Sequence, residues 1–326
     1  MIALKGIRSH EHISFSMSKT FISLLLLTCW LWTTTATAFL LPAKTVLQNN
    51  VSSRKFLKEV QLSQTLHFLE GFYSPKAFDC EEKISISALL NMSRFDYVCQ
   101  DVSYTLLRTA KANKVIYNKT IETKPSVPLN AWPALFFATD FPSLIQSLSH
   151  NEFISAEEKE EEEAASDPRL RGDDKGSKEK DWNIEGTISL VRLGKIEKAT
   201  PQKLEKNVVL LLTAPSGSQK IWFEKDLFLP QKMEIGGRTF VFQNYREIPI
   251  LPLKKTFFRY PQKIEIQEGE VPGITIESDS TKTLVNPKFS KDIFDAQKIS
   301  KINTTSVSEE TSYMKEVLEK FILEYR

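Results

Sequence analysis

Thiols and imidazoles are the side chains best suited to nucleophilic or metal chemistry, and this 326-residue chain holds three cysteines and four histidines. His67 and His150 lie far apart in sequence, and neither adjoins a nucleophile motif. A Ser–His or Cys–His hydrolase needs such partners, so that class is disfavoured. The phosphate-binding G-x-x-x-x-G-K-[ST], the dinucleotide G-x-G-x-x-G, the G-x-S-x-G elbow and the H-E-x-x-H zinc helix are all absent from the sequence. No Cys or His cluster has metal-ligand spacing. Carboxylates are plentiful, but a catalytic pair would show only in three dimensions. The run Glu157-Glu158-Lys159-Glu160-Glu161-Glu162-Glu163 lies in a stretch, 155–181, almost devoid of apolar residues. Such a stretch cannot offset its ordering entropy and reads as a disordered, solvated insert. Its Arg171-Gly172-Asp173 spells an adhesion tripeptide, which three residues in a charged loop produce by chance. The expectation is a non-enzyme with no cofactor and no metal.

What must position any remaining chemistry begins with an export signal. Lys5, Arg8 and Lys19 precede the apolar run Phe21–Trp32, and Ala36-Thr37-Ala38 supplies a small-x-small site. This is the pattern of a secretory signal cut after Ala38. A retained anchor is the alternative, since residues 20–43 carry no charge. Removing residues 1–38 takes away those three basic residues and Glu11, so 43 basic and 41 acidic residues become 40 of each. Zero net charge gives no support to a nucleic-acid partner or to electrostatic recruitment by membranes. Export leaves Cys80 and Cys99 as an even pair in an oxidising compartment, either as a disulfide or as two separate buried thiols.

Hydrophobic periodicity then divides the chain. Residues 39–51 read as a polar leader. Phe56, Leu57, Val60, Leu66 and Leu69 fall near helical spacing and predict an amphipathic helix, ended by Gly71 and Pro75. Alternation over Ile84–Leu90 predicts a strand, as do Tyr97–Arg108 and Val115–Thr123. Trp132–Leu148 reads as a helix that Pro142 restarts or kinks. From Ile184 onward the chain is nearly all strand: 184–191, 208–212, 220–224, a strand around Met233, 239–245 after a Gly236-Gly237 hairpin, 256–260, 263–267 and 274–285. Met314, Val317, Leu318, Phe321, Ile322 and Tyr325 make one stripe of a final amphipathic helix, with Ser306 and Glu309 as a capping box. The fold class expected is α+β. A signal occupies 1–38, a sheet domain covers 39–305 with the charged insert at 155–181, and a C-terminal helix covers 306–326.

Aromatic residues crowd the strands: Trp222, Phe223, Phe228, Phe240, Phe242, Phe257, Phe258 and Tyr260. Phe240 and Phe242 share one face of their strand, while Val241 and Tyr245 share the other. Such a sheet needs cover on both sides, as in a sandwich core, or it curls around an apolar cavity.

The stretch Val208–Met233, with Ile221-Trp222-Phe223-Glu224-Lys225-Asp226 and Pro230-Gln231-Lys232, resembles the W-x-D-K-x-x-x-x-P-x-K hairpin of the LolA-like family of periplasmic lipoprotein carriers. Tyr260-Pro261-Gln262-Lys263-Ile264-Glu265-Ile266, then Leu284-Val285-Asn286 and Phe294, is similar to that family's closing strands. The resemblance covers most of residues 55–297. It implies a curved antiparallel sheet, an unclosed barrel covered by helices, with a cavity for acyl chains. The family's early-strand arginine has its nearest counterpart at Arg94-Phe95-Asp96, where Asp96 takes the expected place. The acidic insert and the last helix are outside the family's pattern.

These readings together predict a periplasmic carrier that shelters lipoprotein acyl chains or another lipid, exchanging them with a membrane-bound donor or acceptor protein. Trp222, Phe240, Phe242, Phe257 and Ile264, with Leu135 and Phe136 from the covering helix, are the expected lining. The competing expectation is an exported scaffold with a solid core and no ligand, whose last helix engages a partner.

Overall fold

The structure, a computed structural model, describes residues 41–158, 182–192, 208–302 and 312–326, except Asp101, Asn118, Gly186, 251–252 and 254–255. The signal segment, the core of the charged insert (159–181) and the Ser306/Glu309 cap lie outside the described residues.

One antiparallel sheet of thirteen strands dominates, in the order β6-β5-β4-β3-β2-β1-β15-β14-β13-β12-β11-β10-β9. Its first half comprises β1 (Glu59–Phe68), β2 (Phe78–Ser87), β3 (Met92–Cys99), β4 (Val102–Thr109), β5 (Ala112–Tyr117) and β6 (Thr120–Pro125). After a small β7–β8 ribbon (Ser155–Glu158 with Trp182–Glu185), the second half runs β9 (Thr187–Arg192), β10 (Val208–Thr213), β11 (Lys220–Glu224), β12 (Pro230–Ile235), β13 (Arg238–Pro249), β14 (Phe257–Glu268) and β15 (Val271–Val285). Every neighbour pair is a hairpin except the central one, where β1 pairs with β15, Val60 opposite Val285 and Phe68 opposite Ile274. The sheet is not closed: β6 and β9 are its edges.

Period-2 alternation gives the sheet an inner and an outer face. On β1 the inner set is Val60, Leu62, Gln64, Leu66 and Phe68. Helices cover this face: α1 (Ala43–Ser52), α2 (Ala131–Phe137), α3 (Phe141–His150) and α5 (Ser312–Tyr325). On the outer face, a 3-10 turn (Lys291–Phe294) and α4 (Ala296–Ile302) cover a second small core of Leu107, Ile116, Phe294, Ala296 and Ile299.

Several elements depart from the sequence reading. The amphipathic helix over 56–69 is instead strand β1. Helical spacing passed over Leu62, Gln64 and Phe68, all buried, and only a period of 2 places them together. The polar leader contains α1, which buries Val46, Leu47, Asn50 and Val51. Tyr97–Arg108 is a hairpin rather than one strand, turning at Gln100 with a left-handed φ of 50°. Residues 184–191 divide between two sheets, β8 and β9. Residues 155–158 of the insert pair with 182–185 as β7. Strand β14 runs unbroken through Pro261, which lies opposite Tyr245, and the facing strand has its own irregularity at Asn244 (φ 55°). The helix over 132–148 is two helices. Asp140 caps the second by accepting from the Ser143 N–H at 2.8 Å, and Pro142 lies in its first turn, where a missing N–H costs nothing.

Candidate functional site: the concave face

The registers align inner residues in rows across the sheet. One row runs Ile221, Met233, Phe240, Ile266, Ile274, Phe68 and Phe78, and the next runs Phe242, Ile264, Ile276, Leu66 and Cys80. All are buried. Cys80 and Cys99 meet across β2 and β3 at disulfide distance, with Cα atoms 4.2 Å apart. This favours the disulfide over the pair of free thiols.

Of the predicted lining, Phe240, Phe242 and Ile264 lie on the inner face, and Leu135 and Phe136 descend onto it from α2. Phe136 packs edge-on to Phe242 and Tyr260, with ring centroids 5.2 and 5.3 Å apart. Trp222 and Phe257 do not join them. Trp222 alternates with the buried Ile221 and Phe223, so it lies on the outer face, where the Lys232 ammonium is 4.7 Å from its ring. Phe257 likewise points outward beside Arg259, and Phe258 takes the inner position. Adjacent strand residues cannot share a face, so the Trp222-Phe223 and Phe257-Phe258 pairs each contribute one inner ring.

The concave face is occupied by the chain itself. Helix α5 lays Met314, Val317, Leu318, Phe321, Ile322 and Tyr325 onto it. Phe321 meets the rings of Phe68 and Tyr97, and Tyr325 that of Phe240. Arg326, the residue after the helix, has its side chain fully buried and forms a two-pronged ion pair with Glu82 of β2: Nε to Oε1 at 2.7 Å and Nη2 to Oε2 at 2.6 Å. Glu82 Oε2 also accepts from Gln64 Nε2 at 2.6 Å, and Gln64 Oε1 accepts from the Tyr260 hydroxyl at 3.2 Å. The Arg326 guanidinium stacks 4.3 Å from the Trp132 ring. Burial alone pushes that guanidinium down, but the Glu82 charge more than reverses this, so Arg326 stays firmly protonated. Burial, then the Glu82 charge, raises the Tyr97 phenol well above its usual range. Glu82 and Arg326 look like ordinary surface charges in the sequence, and no local pattern marks them as partners.

Helix α5 does not fill the whole face. A cleft of about 640 Å³ remains beyond it, over β2–β4, with Ile86, Ser93 and Arg108 as floor and Leu129, Ala134 and Phe137 from the helical side. Arg108 is 6% exposed and is held by backbone carbonyls, donating to Arg326 O, Val127 O and Pro128 O. On the other flank, about 330 Å³ lies between Trp132, Met233, Phe240 and Tyr325. Among the described residues, no group of three His, Cys, Asp or Glu side chains is placed to hold a metal. No family model and no curated protein matches this sequence.

Proposed function

We propose that this chain is an exported lipid carrier of LolA-like type, which shelters an acyl chain against the concave face of its sheet and keeps α5 there when no lipid is bound. One observation carries the reading: an aromatic and aliphatic inner face, with Phe68, Phe240, Phe242, Phe258, Ile264 and Ile266 all buried, is covered by helices and not by a second sheet. Helices held by side chains can shift without breaking a strand ladder. The two spaces flanking α5 fall in the size range of ligand sites, about 300–1,000 Å³.

The apolar part of the exchange is energetically balanced, and breaking the Glu82–Arg326 pair is a further cost of moving the helix end. Displacing α5 re-exposes six side chains, each worth about 2 kcal/mol when buried, or about 12 kcal/mol together. A sixteen-carbon acyl chain recovers about the same, at about 0.8 kcal/mol per methylene. The partner expected is a membrane-bound donor or acceptor, in the periplasm.

Native mass spectrometry of the chain purified without detergent tests this. The expected spectrum has a component heavier by one acyl lipid, and Phe240→Asp abolishes both that component and uptake of a fluorescent fatty acid. Lipid binding that survives Phe240→Asp in a folded protein refutes the cavity assignment. The scaffold reading is favoured by the burial of the apolar stripe of α5 and of the Glu82–Arg326 pair. It predicts a bare chain that takes up no probe and loses its fold when residues 306–326 are deleted.

A further inference from the structure

Antiparallel registers place the loops at two opposite rims of the sheet. One rim gathers the entry to β1 (53–58), the β2–β3, β4–β5 and β11–β12 turns, the segment after β6 (126–129), Leu253 between β13 and β14, and the exit from β15 (286–290). Five large apolar side chains stand exposed there, each on a different loop: Phe56 at 42%, Leu89 at 67%, Val127 at 47%, Leu227 at 45% and Leu253 at 38%. Interleaved with them are exposed Lys55, Lys58, Lys111, Lys225 and Lys288, against only Asp226 among the described residues of these loops and Asp140 beside them at the α2–α3 junction. Among the described residues the opposite rim is balanced, with Glu70 and Glu270 against Lys76 and Lys119. A near-even overall balance, 43 basic against 41 acidic residues, therefore conceals a local excess of positive charge. The same rim borders the 640 Å³ cleft, whose mouth is formed by Ala88, Asn91, Ala110 and Val127.

We infer that this rim docks onto a lipid bilayer rich in anionic headgroups, with Leu89 and Phe56 entering the interface. Separate apolar tips around a ring suit a soft, flat surface, into which each sinks on its own. A protein partner would need them contiguous. The lysines supply the complement to anionic lipid, each contributing about a fivefold gain in affinity at low ionic strength. The docked rim turns the cleft mouth toward the membrane. This surface does not depend on the acyl-binding reading, because a chain with a solid core would dock identically.

The test attaches an environment-sensitive dye to a single new cysteine in a Cys29→Ser background of the full chain, at Leu89→Cys or, on the opposite rim, Val271→Cys. Both positions are well exposed, 67% and 60%, so labelling disturbs no packing. With phosphatidylcholine vesicles containing phosphatidylglycerol, the Leu89 dye is expected to shift blue and to be quenched by lipids brominated on their acyl chains, while the Val271 dye stays in water. Lys55→Gln with Lys58→Gln is expected to weaken binding about thirtyfold at low salt. A Leu89 dye that stays in water, two dyes that respond alike, or a response indifferent to phosphatidylglycerol each overturns the proposal. The first of these outcomes returns the rim to a protein partner.

Discussion

Replacing Arg326 by methionine tests whether the end of α5 is locked into the sheet. Methionine keeps the volume of the side-chain stem but removes the guanidinium, and Glu82, whose side chain is fully buried, is left with the neutral Gln64 amide and the neighbouring Tyr97 phenol. Breaking a buried pair from one side costs about 3–5 kcal/mol, because the orphaned charge keeps its desolvation penalty. The contact with Trp132 at 4.3 Å is lost as well, so a value near 4 kcal/mol is expected. Removing both charges, Glu82→Leu with Arg326→Met, leaves no orphan and is expected to cost far less than the sum of the single changes, with a coupling of about 3 kcal/mol. Urea unfolding with the disulfide kept oxidised measures all four proteins. With a slope of about 2 kcal/mol/M, the single change moves the midpoint by about 2 M. A loss below about 1 kcal/mol, or strict additivity in the cycle, would refute the claim that this pair is formed and dry.

Three further outcomes follow from the packing. At Gly273 on β15, an added Cβ would overlap the Phe72 ring, so Gly273→Ala is expected to lower stability by about 1–2 kcal/mol and Phe72→Ala to relieve the clash; calorimetry of the single and double variants decides this. Replacing Cys80 and Cys99 together by serine opens a loop spanning 19 positions and is expected to cost about 3 kcal/mol in urea, while an unchanged midpoint would mean the bond is not formed in the native protein. Burial raises the phenols of Tyr73, Tyr97, Tyr104, Tyr245, Tyr260 and Tyr325. Their folded pKa values exceed the unfolded value near 10, so their contribution to stability is complete below pH 10 and is lost as pH rises above it. Ultraviolet titration should show these six ionising together in one cooperative alkaline transition, and gradual ionisation at pH 10 in the folded state would contradict their burial.

Much of the second half of the sheet could be read from residue types. Gly236 and Gly237 adopt φ of 57° and 77°, which only a turn of their kind tolerates, and alternation on either side then fixes β12 and β13. Strand β1 resembles a helix in sequence because Leu57, Val60, Leu66 and Leu69 satisfy a helical spacing by chance, while the polar inner residue Gln64 interrupts the period-2 signal. Gln64 is polar because it serves Glu82, so the feature that hid the strand belongs to the interior network. An apolar doublet such as Trp222-Phe223 or Phe257-Phe258 carries no local signal for which ring faces inward, and Phe223 and Phe258 hold the buried positions. The ion pair joins residues 244 positions apart, a separation that no local pattern encodes.

The central seam also sets the order in which the molecule can be assembled. Each half of the sheet is a chain of hairpins that can form from neighbouring sequence, but β1 and β15 bridge the two termini of the domain, and Lys58 bonds to Asn286 across 228 positions. Loop closure on that scale makes the middle of the sheet the last part to form, and a slow one. Until β15 is available, β1 presents an unpaired edge carrying Val60, Leu62, Leu66 and Phe68, the kind of edge that recruits foreign strands. The newly made chain therefore passes through a state whose most adhesive strand lies at the future centre of the sheet, and a holding chaperone that delays aggregation would have to cover β1 until β15 replaces it.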